Sequence, residues 1–349
     1  MAKNIGIDPH SRVVLSKGLV IGEGITGNPV ISKYSTSFTP ISPSITGSVL
    51  LVGGGGSGGT YYAGGGGAGG GILQSTFTFP TQQSYAVVVG AGGNNSDGQG
   101  SGFNGLFCIG GGMGASGGDV NGPAIIPTDG AGGGGAACGG DDVTQSYGAT
   151  ADPTGQIKAG GNGLYDDNRP LVFDALGGGG GGYTTAGGSA HSWIGSSTQL
   201  KNGGDGTRVS AFFPDLLNTQ LDWVIGCGGG GACNWAHENH DYSSGGYLGG
   251  AAAGTNYGGM GGGKGVYSAT NATNGFGFPY TGGAGNGGGG GFSGNVAGTG
   301  SGGVVLLQIP TNLWWNQSST QSASPYFQRS GDINGFTYLL WYGSGTFVM

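Results

Sequence analysis

Residues 177–193 read GGGGGGYTTAGGSAHSW, six consecutive glycines followed by a tyrosine, a histidine and a tryptophan. Glycine loses more conformational freedom on folding than any other residue. Ordering the backbone of each residue costs roughly 1–2 kcal/mol. Because no side chain is buried at these positions, backbone hydrogen bonds and very close packing must offset that cost. The stretch therefore predicts an architecture held together by the main chain.

Glycine dominates the whole chain, with 92 glycines among 349 residues. All but ten of them lie between Gly53 and Gly303. Such a content is usually typical of low complexity or disorder. Disordered chains, however, are rich in charge and poor in aromatic residues, whereas this chain has 8% charged and 10% aromatic residues. We therefore expect an ordered protein.

The distribution of glycine divides the chain into three parts. We expect an N-terminal attachment segment of short strands over 1–47 and a glycine-rich domain with variable loops over 48–309. A C-terminal β segment is expected over 310–349.

Some stretches indicate ordinary β-structure. SVLLVGG (48–54) leads into the glycine-rich domain and GGVVLLQIP (302–310) leaves it. STFTFPTQQSYAVVVGAGG (75–93) alternates and predicts a hairpin with its turn at PTQQS, and GFTYLLWYGSGTFVM (335–349) predicts a hairpin or a paired strand. FFPDLLNTQLDWV (212–224) is the only stretch that favours a short helix or turn.

The glycine runs themselves favour polyglycine-II helices. Collagen would need glycine at every third position and abundant proline, and glycine in a flat sheet specifies no register. A polyproline-II-like helix of glycine has three residues per turn, rises about 3.1 Å per residue and leaves every N–H and C=O free for neighbouring helices. We therefore expect a mostly irregular, all-β protein with almost no α-helix: a bundle, or sandwich, of about ten polyglycine-II helices flanked by short β-strands. The runs that predict these helices are 53–59, 64–71, 110–118, 130–140, 177–182, 226–231, 245–254, 258–265, 282–291 and 298–303.

Charge and hydropathy exclude several classes of partner. The formal net charge is −7 and only ten residues are cationic. Because a groove that binds nucleic acid needs a basic stripe, we expect no nucleic-acid partner. No apolar run approaches the roughly 18–20 residues that span a bilayer. MAKNIGIDPHSRVV at the start lacks an apolar h-region, so we expect neither a signal peptide nor membrane insertion.

One cluster has residue types that bind metal. CGGGGACNWAHENHDYSS (227–244) contains Cys227, Cys233, His237 and His240 in the order of a zinc site. Zinc sites prefer two to four residues between the cysteines, whereas five intervene here. A polar, aromatic surface loop is the alternative and is our expectation, with no metal bound.

No other motif predicts a cofactor or catalysis. GGMGGGKG (258–265) imitates a phosphate loop but has Gly265 where that motif needs a serine or threonine. Asp141–Asp142 and Asp166–Asp167 are adjacent in sequence, which does not create the facing carboxylates of a glycosidase. We therefore expect no cofactor and no enzymatic activity.

Aromatic residues and histidines are concentrated between the glycine runs. Rigid aromatic side chains supply contact area at low entropic cost and stack on sugars or on protein surfaces. Packing on the outside of the bundle is the alternative role for each, and we expect it for about half of them. The candidates for a receptor-binding surface are Tyr61, Tyr62, Tyr183, His191, Trp193, Trp235, His237, His240, Tyr242, Tyr257, Tyr267, Phe276, Phe278 and Tyr280.

Residues 48–309 resemble the glycine-rich domains of tailed-phage fibre and receptor-binding proteins, above all tail-fibre tip adhesins. The resemblance rests on SVLLVGGGGSGGTYYAGGGGAGGGILQ, YAVVVGAGG, FNGLFCIGGG, GGGGGGYTTAGGS, GGAGNGGGGGFSG and GSGGVVLLQIP. It implies a polyglycine-II sandwich whose distal loops bind a host outer-membrane protein or surface glycan. It also implies an N-terminal part that docks onto the fibre. The residues beyond the glycine-rich domain depart from that family's pattern.

The function expected on these grounds is a virion protein, a tail-fibre or receptor-binding adhesin that attaches the particle to its host. The alternative is a structural virion subunit of the fibre, baseplate or capsid decoration, whose loops contact other virion proteins. An ice-binding glycine bundle is a third interpretation, which the long aromatic loops disfavour. The expected partners are fibre or tail proteins and a host surface protein or glycan, with the chain a homotrimer or a monomer carried on a trimeric fibre.

Overall fold

The computed structural model describes eleven ranges of residues: 44–60, 64–80, 83–116, 127–135, 145–146, 157–166, 174–189, 202–234, 283–290, 297–314 and 327–348. All of them fall within one compact unit, Ser42–Met349.

The described residues are mostly strands and irregular segments, which confirms the expected scarcity of helix. They contain no helix of seven residues or more; α1 is Thr311–Trp314, and 3-10 turns span Val209–Ala211 and Pro214–Leu216. The strands are β1 Ser44–Val52, β2 Ile72–Pro80, β3 Ser84–Val88, β4 Ser101–Phe103, β5 Leu106–Cys108, β6 Gln145–Ser146, β7 Gly163–Asp166, β8 Asp174–Leu176, β9 Thr207–Arg208, β10 Val224–Ile225, β11 Cys233–Asn234, β12 Gly283–Ala284, β13 Val304–Pro310, β14 Phe327–Ile333, β15 Phe336–Trp341 and β16 Gly345–Val348. In this part of the chain no helix is long and apolar enough to cross a membrane.

The strands that lead into and out of the glycine-rich region pair with each other. β1 and β13 are antiparallel, with Val49 opposite Leu307 and Leu51 opposite Val305. They lie at the centre of a five-stranded antiparallel sheet of order β14-β15-β13-β1-β2. The apolar runs predicted as strands at 48–54 and 302–310 are therefore the middle of the main sheet.

Both faces of this sheet are covered by apolar residues. Because successive side chains in a strand point to opposite faces, Val49 and Leu51 enter one core whereas Leu50 and Val52 enter the other. This double burial explains why the central strands are continuous apolar runs rather than alternating ones.

A second antiparallel sheet, β16-β3-β4-β5, covers the first face. It contributes Tyr85, Phe103 and Phe347, whose rings contact one another. The Phe347 ring also contacts Trp341 edge-to-face. The hairpin predicted over 75–93 is wrong, because β2 pairs with β1 whereas β3 pairs with β16 and β4. The chain between β2 and β3 therefore connects two sheets.

Residues 207–225 cover the opposite face. Val209, Phe213, Leu216 and Trp223 pack against the central strands there. The Asp222 carboxylate fixes this segment, since it accepts a hydrogen bond from the Ser210 N–H at 3.0 Å and lies 3.3 Å from the Arg208 guanidinium. Within 212–224, predicted as a short helix or turn, the structure has the 3-10 turn Pro214–Leu216.

The glycine segments have a hydrogen-bonding pattern with a period of three residues. In 53–59, the N–H groups of Gly53, Gly56 and Gly59 donate to the segment 65–71. The N–H groups of residues 54 and 57 donate to 96–99, and those of 55 and 58 to 298–301. Each third residue therefore faces the same neighbour, unlike a β-strand, in which the period is two.

The segment 64–71 lies at the centre of the glycine-rich region. Its N–H groups donate in turn to 109–115, to 178–181 and to 285–288. Its carbonyl groups accept from three other segments, through Gly53, Gly56 and Gly59 of 53–59, Gly135, and Gly229 and Ala232. Six segments thus surround this one, all bonded to it through the main chain.

This packing leaves no space for a side chain at most of the described glycines. A β-carbon built on most of the described glycines between Gly53 and Gly300 would lie within 3.0 Å of another segment's backbone, usually a carbonyl oxygen. Gly302 is different, because its nearest neighbour would be the Gly90 oxygen at 3.7 Å. Glycine is thus required in the segments for close approach.

Candidate functional site

The glycine segments have two distinct ends. At the first, which we call the sheet end, Gly53 donates to Gly71 at 2.8 Å and Gly71 donates to Ile109 at 2.9 Å, directly beside β1, β2 and β5. At the second, which we call the loop end, Gly59 donates to Gly65 at 2.8 Å and Gly65 donates to Ala115 at 2.9 Å. The two apolar cores adjoin the sheet end.

The loop end collects residues that flank several connections. Thr60 donates its N–H to the Ser116 hydroxyl at 2.8 Å, Ala232 donates to Gly64 at 2.9 Å, and Gly290 donates to Gly230 at 2.9 Å. Three connections, 61–63, 190–201 and 291–296, have the residues on both sides of them at this end. For three others, 117–126, 136–144 and 235–282, the preceding residue lies at this end.

A small sheet of order β11-β8-β7-β6 also belongs to the loop end. Cys233 of β11 lies opposite Leu176 of β8, and Gly177 donates its N–H to Ala232 at 2.8 Å. The strands β8 and β11 therefore begin and end glycine segments at this end.

Tyr183 is the one predicted recognition residue that the structure describes, and it lies at the sheet end. Its N–H donates to Gly226 at 2.9 Å, and its ring contacts Phe212 edge-to-face with centroids 5.9 Å apart. Tyr183 thus packs against the core that contains Leu50 and Val52. The other candidates lie outside the described residues: Tyr61, Tyr62, His191, Trp193, Trp235, His237, His240, Tyr242, Tyr257, Tyr267, Phe276, Phe278 and Tyr280.

The cysteines of the possible zinc site have different surroundings. Cys227 is fully buried, and its backbone N–H donates to the Asn286 side-chain oxygen at 2.9 Å. Cys233 belongs to β11, at the other end of the 226–232 segment, whereas His237 and His240 lie outside the described residues. Within the described ranges no three histidine, cysteine or acidic residues are grouped as metal ligands.

Two buried ionisable groups are held in their neutral forms. Burial raises the pKa of the Cys108 thiol to about 11. Burial also raises the pKa of Tyr338 to about 12, although the phenol accepts a hydrogen bond from Gln308 at 2.8 Å. Because the thiolate is the nucleophilic form of cysteine, Cys108 acts as a core residue at neutral pH.

Sequence reasoning missed a shallow groove at the sheet end, of about 230 Å³. Its walls are the turn around Gln220 and one face of the β14–β15 hairpin; it is lined by Thr219, Gln220, Leu221, Ser330, Ile333, Tyr338 and Leu340. The Ser330 hydroxyl is already used, because it donates to the Gly331 carbonyl and accepts from the Tyr338 N–H. No sequence motif marks this groove, which forms where distant segments meet.

Exposed apolar side chains are few in the described part of the chain. Val88 and Phe107 lie on the outer face of the second sheet and Leu217 on a turn, with exposed fractions of 47%, 59% and 59%. Phe107 is thus an exposed aromatic residue at the sheet end.

Comparison with known proteins found no matching family model, no similar curated protein and no similar solved structure.

Proposed function

We propose that this chain is a virion protein of a tailed phage, a tail-fibre or receptor-binding adhesin that recognises the host surface through loops at the loop end. The observation that carries the proposal is the common location of the residues that flank these loops. The proposal assigns the chain no enzymatic activity and no cofactor.

The architecture proposed for the glycine segments is a sandwich of polyglycine-II helices. Such helices have three residues per turn and no internal hydrogen bonds. The three-residue period of the bonds from 53–59 and 64–71, and the six neighbours of 64–71, support this interpretation. A set of extended helices in this arrangement is a rigid platform whose ends can hold loops of different sequence.

Recognition chemistry must lie outside the segments. A side chain cannot be added at most described glycines between Gly53 and Gly300 without meeting backbone. Binding residues in proteins are commonly carried by loops on rigid scaffolds. Tyr61, Tyr62 and Trp193 belong to connections with loop-end residues on both sides, and Trp235 directly follows Asn234 of β11 at the loop end.

The chemistry of these connections favours an uncharged or weakly polar ligand. Tryptophan and tyrosine stack on sugar rings and fill the centres of protein interfaces. The formal net charge of −7 disfavours polyanionic surfaces. A host surface glycan and an outer-membrane protein both fit this chemistry.

The opposite end is proposed to face the particle. The five-stranded sheet, both apolar cores and the β14–β15 hairpin lie at the sheet end. Contacts with other fibre or tail proteins at this end would leave the loop end directed outward.

The test is competition with the particle for adsorption to its host cells. Purified protein is expected to block adsorption, and a variant combining Trp193→Ala and Trp235→Ala is expected to lose this ability. Phe107→Ala is the matched control, because it removes an exposed aromatic residue at the sheet end.

Retention of blocking by the tryptophan variant would contradict the proposed role of these loops. Failure of the unmodified protein to block, combined with loss of particle assembly when the loops are shortened, would favour the structural virion subunit instead.

A further inference from the structure

The strand β2 is a long and regular edge of the five-stranded sheet. Its nine residues pair with β1 without a register shift, and its sequence ILQSTFTFP contains no charged residue. β2 is the last strand on its side of the sheet order. An edge of this kind presents a row of backbone donors and acceptors to any other extended chain.

The other sheet edges among the described residues are short or interrupted. β14, the opposite edge of the same sheet, has a register shift between Arg329 and Asp332, and both residues are charged. β16 and β5 have four and three residues, and β6, β9, β11 and β12 have two each. Bulges, charges, proline and short length are the usual protections of an edge, and of these β2 has only Pro80, at its last position.

The even-numbered residues of β2 direct their backbone groups away from β1. Gly53 donates to Gly71, and alternation along the antiparallel pair then assigns the odd-numbered residues to the β1 side. Pro80, which has no N–H, fits the outward set. Among the described residues, the hydrogen bonds to this outer backbone come from the Tyr85 hydroxyl to Pro80 at 3.0 Å and from the Ser75 hydroxyl to Thr76 at 3.3 Å.

We infer that β2 pairs with β2 of a second copy of this chain, antiparallel and about a two-fold axis. Centring the pair on Thr76 places the Thr76 of each copy opposite the other and Gln74 opposite Thr78. This register brings the outward-facing backbone groups of the two copies together. A homodimer forms, with one continuous sheet of ten strands.

The composition of β2 favours a second copy as the occupant. In a two-fold pair the same surface of each copy meets the other. A charged residue near the axis would therefore lie close to the same charge in the second copy, which is destabilising. β2 has no charge to oppose, and its exposed Thr76, apart from the pairing with β1, has no hydrogen-bond partner among the described residues other than its neighbour Ser75. The exposed Gln74 donates to the Phe212 carbonyl at 2.9 Å, and the Thr78 hydroxyl lies 3.1 Å from that of Thr46. Cross-strand threonine pairs stabilise such sheets. This inference is independent of the proposed recognition by loops.

The experiment is analytical ultracentrifugation of the full chain over a range of concentrations. The expected mass of the unmodified protein at high concentration is twice that of the chain. Thr76→Lys places two positive charges opposite each other, one from each copy, at the centre of the pair. This variant is expected to give the mass of one chain with an unchanged circular dichroism spectrum.

Thr46→Lys is the matched control, since Thr46 is exposed on β1, with its hydroxyl 3.1 Å from that of Thr78, and lies one strand away from the edge. This variant is expected to remain a dimer. A monomer or a trimer for the unmodified protein would overturn the inference. A dimer that Thr76→Lys leaves intact would overturn it equally.

Discussion

The backbone N–H of Gly67 donates to the carbonyl oxygen of Gly288 at 2.9 Å, although the two residues lie in distant parts of the sequence. The Gly67 carbonyl accepts in turn from the Gly229 N–H at 2.8 Å. Gly67 thus joins two other segments through its main chain alone. The stability of the glycine-rich region therefore depends on the absence of a side chain at such positions.

Gly67→Ala is expected to lower the free energy of unfolding by at least about 3 kcal/mol, because overpacking against backbone relaxes poorly. The added β-carbon would lie within 3.0 Å of the carbonyl oxygens of Gly56 and Ser57. Gly302→Ala is the control, since its β-carbon would meet only the Gly90 oxygen at 3.7 Å. Denaturant unfolding measures both, and equal losses would contradict the packing described.

Gly335→Ala tests a different requirement of glycine. Gly335 follows Asn334 in the turn between β14 and β15 and has a φ of +85° with no atom near a built β-carbon. A left-handed conformation costs an L-residue roughly 1–2 kcal/mol, which is the loss expected. Gly331→Ala, also without neighbours and without a positive φ, should change stability by less than about 0.5 kcal/mol. Identical thermal midpoints for the two variants would refute this distinction.

Asn286→Ala is expected to destabilise the protein by about 1–3 kcal/mol, because it leaves a buried donor without its acceptor. The Asn286 side-chain oxygen accepts from the Cys227 N–H at 2.9 Å, and both residues are fully buried. The exposed Asn94 offers the control Asn94→Ala, for which a change below about 0.5 kcal/mol is expected. A neutral Asn286→Ala in denaturant unfolding would show that this bond contributes nothing.

Stability should fall in alkaline solution. Burial raises the pKa of Cys108 from 9.0 to about 11, so the native state holds this proton more tightly than the unfolded chain. The corresponding stabilisation is complete below pH 9 and is lost as the pH rises to about 11. Its size is about 2–3 kcal/mol. Tyr338, raised from 10.0 to about 12, continues the loss at higher pH.

Cys108→Ala separates the two contributions. Thermal midpoints measured between pH 8 and 11 should fall less steeply for this variant, because the thiol no longer titrates. Parallel curves for the variant and the unmodified protein would show that Cys108 does not control the alkaline loss.

The sequence was sufficient to predict β1, β2, β3, β13, β15 and β16, but not the partners of these strands. The apolar residues 49–52 and 304–307 are β-branched or leucine and lie next to glycine runs, which marks them as buried strands. The alternation in 75–88 also predicted strands correctly. It could not show that Tyr85 and Val87 belong to a separate sheet, because alternation specifies faces and not pairing.

The arrangement of the glycine segments was beyond sequence reasoning for a related reason. Side chains normally select neighbours, and a run such as 177–182 has none. Composition predicted close main-chain packing. It carried no information that 178–181 would adjoin 66–69, or that Tyr183 would lie beside Phe212 at the sheet end.

Hydrogen exchange of the glycine amides tests the central claim most directly. Every residue in 53–59 and 65–71 donates its N–H to another segment. We predict that NMR finds slow exchange of the amide proton at every residue of both segments. Exchange at the rate of an unstructured chain, or protection only at every second residue as at the edge of a β-sheet, would contradict the account.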